Sequence, residues 1–427
     1  MRRSSRHVRW AVLSLTLQGL FPGAIPAQQR PRPAELSDSA VVSLITILPG
    51  RSLYNLFGHT LLRVRDPATG LDVGYNYGTF AFPDSFLGGA AFVARFAYGR
   101  LDYRLDAPDY SPLRAVEWYW REEGRPSIEQ TLDLAPDQRR ALYRDLEENA
   151  RPENATYRYD FFFDNCSTRP RDRIESAAGD GLRSGLADPG GSFRQLLDPY
   201  LVEKPGLNLA MDLGLGPPAD RAASARDAAF LPEWLMRWAA AARLEGPGGT
   251  RPLVSRTDTL TWAPGAADRT PAPAWPRVVL WLLAIAGVWL SVRDLRAGRP
   301  LRRWLDGLLF TSLGLAGIVL AFLVFVSIHT VTQGNLNLLW AVPLHLAPGL
   351  ALLGGRRPGW LRAYMLATLA LLSVFLVGWP VWPQQIPGAV LPVVLLVAAR
   401  AGVLALPRLS PEASASSSDH AGDARSR

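Results

Sequence analysis

The sequence predicts an α+β exported domain followed by an all-α domain of five transmembrane helices. Three observations lead there. The chain opens with Arg2, Arg3, Arg6 and Arg9, an apolar run over 10–21 and then Ala24-Ile25-Pro26-Ala27, the charged, apolar and small order of a secretory signal over residues 1–27. Between about residues 30 and 243, β-branched and alternating runs are interleaved with amphipathic helical stretches. From Trp275 onward the chain turns apolar, in segments near 277–292, 306–328, 337–354, 363–379 and 389–406. Each is close to the ~20 residues that cross a bilayer as a helix.

Taken in order, residues 41–48 and 59–64 are apolar and β-branched and predict strands, and 72–82 alternates around glycine as a third. Ser111-Pro112 places an N-cap and a first-turn proline ahead of a helix over 113–123. Residues 136–149 form an amphipathic helix that Arg151-Pro152 ends. A short aromatic strand over 157–163 leads into Asn165-Cys166, and a helix follows over 169–178. The Trp- and Ala-rich stretch 230–244 reads as a helix near the membrane. Gly- and Pro-rich residues 244–276 read as a linker between the catalytic domain, 28–243, and the membrane domain, 277–406. The Ser-, Ala- and Asp-rich tail 407–427 reads as disordered.

The formal net charge is +8, almost all of it arginine, since Lys204 is the only lysine. Much of the excess lies in the loops around Arg293–Arg303 and Arg356–Arg362, whereas 329–336 and 380–388 carry no Arg or Lys. By the positive-inside rule the basic loops are cytoplasmic, which puts 28–276 outside the inner membrane. The charge therefore has a topological role and does not imply nucleic-acid binding.

The exported domain holds one cysteine, Cys166, and one histidine, His59. A lone exported cysteine has no intramolecular disulfide partner. A thiol and an imidazole are the minimum equipment for covalent acyl transfer. A helix beginning near Cys166 favours thiolate, less so if Pro170 moves its start to Thr168. Backbone N–H groups of Cys166 and Ser167 are candidate oxyanion donors. His59 needs a third group to fix its tautomer. Asn76 and Tyr77 are the best placed, with Asp160 and Asp164 behind them.

The order of base, polar group and then thiol reverses that of papain and resembles the circularly permuted NlpC/P60-like thiol enzymes. Read together, Phe57-Gly58-His59, Tyr75-Asn76-Tyr77-Gly78-Thr79-Phe80, Asn165-Cys166-Ser167-Thr168-Arg169, Phe230-Leu231-Pro232-Glu233 and Asn335-Leu336-Asn337-Leu338-Leu339-Trp340 resemble the Lnb-type lipoprotein N-acyltransferase family. One position departs from it: Ala81 stands where an acidic residue is expected. The resemblance implies a permuted papain-like, NlpC/P60-like domain with Cys166 as nucleophile and His59 as base. It implies a phospholipid acyl donor, a diacylated lipoprotein acceptor, and neither metal nor other cofactor.

Asn165, Ser167, Thr168 and Arg169 are candidate substrate contacts. So are His329, Asn335 and Asn337 in an outward loop at the membrane surface, where capping of the loop is the plainer alternative. Trp340, Trp379 and Trp382 read as an interfacial belt, and Arg400 as snorkelling from the last span. Two other functions fit the same residues, a tethered cell-wall peptidase or amidase and a non-catalytic membrane module.

Overall fold

The computed structural model describes residues 32–79, 85–109, 125–246, 248–262, 269–297 and 302–406. The signal-like leader, Ala81, the helix expected over 113–123 and the C-terminal tail lie outside them. The first strands are β1 (Val41–Ile47), β2 (His59–Asp66) and β3 (Leu71–Thr79), followed by helix α1 (Phe86–Tyr98). Then come β4 (Asp102–Asp106), β5 (Ser127–Leu132), α2 (Pro136–Ala150), β6 (Thr156–Arg158), α3 (Thr168–Ala178) and β7 (Leu182–Arg183). The domain ends with α4 (Asp198–Leu201), α5 (Pro205–Gly214), α6 (Ala225–Ala228), α7 (Pro232–Ala241), β8 (Arg243–Gly246), β9 (Gly249–Pro252) and β10 (Val254–Thr261).

Seven strands form an antiparallel sheet in the order β10-β5-β1-β2-β3-β4-β6. Side chains alternate across it. Leu62 and Val64 of β2 and Tyr75 and Tyr77 of β3 face the main core, against Leu142, Leu146, Ile174 and Trp238 of the covering helices. His59 and Asn76, one position out of phase, belong to the other face.

Two expectations change here. Residues 244–261 are not a linker: β8 and β9 pair with each other, and β10 pairs with β5 as an edge of the main sheet. The flanking glycines and prolines masked a Thr-Asp-Thr-Leu-Thr alternation. Helix α7 is a core helix rather than a membrane-surface one, with Leu235 and Trp238 buried against the sheet.

The membrane domain contains α8 (Trp275–Arg296), α9 (Arg303–Phe325), α10 (Leu346–Leu353), α11 (Leu361–Gly378) and α12 (Val390–Ala405). Among the described residues, three helices are long and apolar enough to span a bilayer, with a bent pair as a fourth candidate and α12 shorter. The segment expected as a continuous span over 337–354 is that bent pair, three 3-10 turns leading into the short α10 with a 46° bend. Pro343 and Pro348 interrupt regular bonding there. Its backbone presses on α9: a Cβ on Gly314 would lie 2.3 Å from Leu346 N, and one on Gly317 2.3 Å from Ala341 O. Such close approach through small residues is how membrane helices pack.

Arg400 does not snorkel. It is 4% exposed, with Nε and Nη2 on Asp306, Nη2 also on Asp294 and Nη1 on Ser291. Nor is Trp340 interfacial, being buried with its Nε1 donating to Asn337 Oδ1.

Candidate active site

Cys166 sits between a tight turn and a helix. Asp160 and Asp164 bond to each other's backbone in both directions, and Asp160 Oδ1 accepts from the N–H groups of Phe162 and Phe163. The aromatic strand therefore stops at Arg158, and 160–164 forms a turn. Helix α3 begins at Thr168, as Pro170 requires. Asn165 organises the junction. Its Oδ1 accepts from Ser167 N (2.7 Å) and Thr168 N (2.9 Å), and its Nδ2 donates to Phe161 O and Phe230 O. Thr168 Oγ1 accepts from Asn165 N in return. Of the residues in this motif, Cys166 alone is left partly exposed without such a structural role.

Asn165, Ser167 and Thr168, expected to contact substrate, are instead buried and bonded within the protein. The N–H of Ser167 is engaged by Asn165 and is no free oxyanion donor. Arg169 is also engaged: it grips Asp164 through Nε and Nη2, and its guanidinium lies 3.6 Å above the Tyr157 ring.

His59 opens β2 directly after Gly58, whose φ of +87° turns the chain into the strand. Its Nε2–H donates to Asn76 Oδ1 at 2.6 Å, which leaves Nδ1 for the thiol proton. Burial alone would lower the His59 pKa. The adjacent Cys166 charge, a hydrogen bond to that sulfur and the Asn76 bond outweigh it, so the imidazole is held above its ordinary value. Burial likewise opposes the thiolate. The His59 charge and hydrogen bond, the Ser167 hydroxyl 4.0 Å away and the Thr60 N–H outweigh that too and hold Cys166 below its ordinary value. The pair thus favours thiolate and imidazolium, and titrates as a unit.

Of the two candidates for a third group, Asn76 is the one bonded to the imidazole; Tyr77 points to the opposite face, where its hydroxyl donates to Asn149 Oδ1. Asp164 is held by Arg169. Asp160 is also spoken for, as described below.

Two further residues shape the space. Gly78 lies where the groups converge, its Cβ position 3.4 Å from Cys166 Cβ, 3.8 Å from Tyr157 Oη and 4.0 Å from His59 Cε1, and its φ of +87° is what calls for glycine. The Tyr157 hydroxyl is buried and makes no hydrogen bond among the described residues. Burial pushes its pKa upward, which keeps it a proton donor. Gly78 was visible in the Asn-Tyr-Gly motif. Tyr157 carried no sequence signal beyond its aromatic strand.

Two family models match the chain, one on either side of the boundary between the two regions. Residues 32–198 match the Lnb N-terminal periplasmic domain and residues 269–409 match the Lnb transmembrane domain. The chain belongs to the Lnb family. It is a membrane protein with a periplasmic domain. No match was found among curated proteins or among solved structures.

Within the Lnb periplasmic match lie Cys166, His59 and Asn76; within the Lnb transmembrane match lie His329, Asn335 and Asn337. These last three join the two regions. His329 Nδ1 donates to Asp160 Oδ2 (3.2 Å) and Nε2 to Phe96 O (2.8 Å). Two acceptors suit the imidazolium, and the bond to Asp160 raises the His329 pKa above its ordinary value. Asn335 and Asn337, expected as substrate contacts, are 3% and 0% exposed. Both donate to Leu213 O in the last turn of α5, whose carbonyls have no partner inside the helix. Gln384, from the other neutral loop, donates to Leu215 O and Asn335 Oδ1. The two neutral loops thus both face the periplasmic domain, as their lack of charge suggested.

Proposed function

We propose that this protein is a lipoprotein N-acyltransferase with a permuted papain-like catalytic domain. It moves an acyl chain from phospholipid, through a Cys166 thioester, to the α-amine of diacylglyceryl-cysteine on exported lipoproteins. The observation that carries this reading is a thiol, imidazole and amide cluster whose own loop is hydrogen-bonded to the membrane domain through Asp160 and His329. Both proposed substrates are lipids held at that boundary.

In the first half-reaction the Cys166 thiolate attacks the ester carbonyl of the phospholipid. A carbon–sulfur bond forms, the ester carbon–oxygen bond breaks, and the leaving alkoxide takes the His59 proton to depart as lysophospholipid. In the second, the lipoprotein amine attacks the thioester carbon. The carbon–sulfur bond breaks, His59 accepts the amine proton, and an amide and the thiolate–imidazolium pair result. Asn76 keeps Nε2 protonated throughout. With Ser167 N–H engaged, the unpaired Tyr157 hydroxyl is the donor we assign to the oxyanion of both tetrahedral intermediates.

The test is mass spectrometry of lipoprotein N-termini in cells that depend on this protein. Wild type is expected to give triacylated termini, and Cys166→Ala diacylated ones with a free amine. N-acylation that persists with Cys166→Ala excludes the thioester route. Cleaved cell-wall peptides with unchanged lipoproteins would instead favour hydrolysis by the same pair. An acyl group trapped on Cys166 isolates the first half-reaction.

A further inference from the structure

Helix α1 is well formed but has the wrong surface for water. Ser85 Oγ caps it by accepting from Gly88 N, and Gly99, at φ +79°, ends it. Its sequence, FLGGAAFVARFAY, contains a single charge, Arg95. Phe92 packs against the sheet core. Leu87 is 78% exposed, Val93 64% and Phe96 36%, with alanines exposed between them. A helix side that faces water is normally polar.

The position of the helix indicates what covers that surface. Its C-terminal end is fastened to the outer end of span α9: Ile328 N donates to Tyr98 O, the Tyr98 and Phe322 rings lie 6.1 Å apart, and Ile328 fills the space where a Gly99 side chain would stand. The α9 end is itself apolar and open, with Phe325 78% and Val326 48% exposed. One apolar surface therefore runs from a bilayer-spanning helix onto α1. Its other end follows β3, whose Gly78 borders Cys166.

We infer that α1 is an interfacial membrane helix whose Leu87 and Val93 side is covered by acyl chains of the outer leaflet. Arg95, in its last turn, suits the head-group layer. The occupant is lipid rather than a second protein, because the surface is continuous with a bilayer span. If the acyltransferase reading holds, on which this consequence rests, α1 borders the route by which a donor acyl chain reaches Cys166.

Cys166 is the only cysteine, so Cys166→Ser gives a background for single labels. Leu87→Cys, Val93→Cys and, as a control in the exposed turn that follows α3, Asp180→Cys would each carry an environment-sensitive fluorophore in phosphatidylethanolamine/phosphatidylglycerol vesicles. Labels at 87 and 93 are expected to be quenched by nitroxide-bearing lipids and shielded from aqueous iodide, with the reverse at 180. Iodide quenching at 87 and 93 equal to that at 180 overturns the inference. So does shielding that disappears on dilution of protein in lipid, the mark of a second copy. In the otherwise native chain, Leu87→Glu with Val93→Glu should lower acyl transfer from bilayer phospholipid at least tenfold, while iodoacetamide still alkylates Cys166 at the wild-type rate. Lipid quenching without any acyl transfer by wild type would sink the acyltransferase reading and leave α1 in the membrane.

Discussion

Two asparagine-centred loops, one at Cys166 and one in the membrane domain, use the same local device to different ends. Asn165 and Asn335 each accept the N–H two residues ahead and donate Nδ2 to a carbonyl of another element. In the first loop the residue after the asparagine is the partly exposed Cys166, and the hydroxyl of nearby Tyr157 has no partner among the described residues. In the second, Leu336 N is taken by Gln384 and Asn337 by Leu213 and Trp340. In the first loop the bonding shapes a turn and leaves Cys166 over; in the second the bonded polar residues hold the two domains together.

The largest expected effect tests that distinction directly. Asn165→Ala removes four hydrogen bonds and strands two carbonyls, a loss of about 4 kcal/mol in denaturant unfolding at ~1 kcal/mol per bond. Iodoacetamide reactivity at Cys166 should fall with it. Asn335→Ala should weaken domain docking by about 2–3 kcal/mol and leave that reactivity intact. A loss of acyl transfer in Asn335→Ala without a loss of stability would mean that this loop does contact substrate. Next, Tyr157→Phe should lower kcat about 10²- to 10³-fold with little change in KM, the range for one oxyanion donor. An unchanged kcat would remove Tyr157 from the mechanism.

A smaller effect is expected for Asn76→Ala, about 10- to 100-fold for one hydrogen bond to a charged group. The Asn76 bond raises the His59 pKa, so its loss should move the alkaline limb of the pH–rate profile to lower pH. An unshifted limb would dissociate Asn76 from the imidazole. Smallest is the His329 clamp. Its folded pKa lies above the unfolded value of about 6.5, so its contribution is fully present below that pH and is lost as pH rises through the folded value. His329→Gln should flatten the pH dependence of thermal melting over that window.

Much of this was legible in advance. Apolar runs located β1 and β2, Pro170 pointed to the later of two possible starts for α3, and the Cys–His pair stood out by its scarcity. Asn76 and Tyr77 were separable by strand alternation alone, since the core-facing partners of Tyr77 at Val73 and Tyr75 share its parity. The roles of Asn165 and Asn335 were not legible, because a buried bonded asparagine and a substrate-binding one have the same local sequence. The strands over 243–261 were hidden because Gly and Pro at their ends outweighed a short polar alternation. Tyr157 became notable only once its missing partner could be seen.

The Arg400 cluster has a consequence for biogenesis. An arginine in an isolated helix resists insertion, by up to about 2.5–3.5 kcal/mol at the bilayer centre, and α12 has only 16 residues to offset it. Its partners, Asp294 and Asp306, arrive earlier in the chain at the end of α8 and the start of α9. The last helix therefore depends on the first two being in place in the bilayer before it can settle. Synthesis order and charge pairing together couple the integration of α12 to that of α8 and α9.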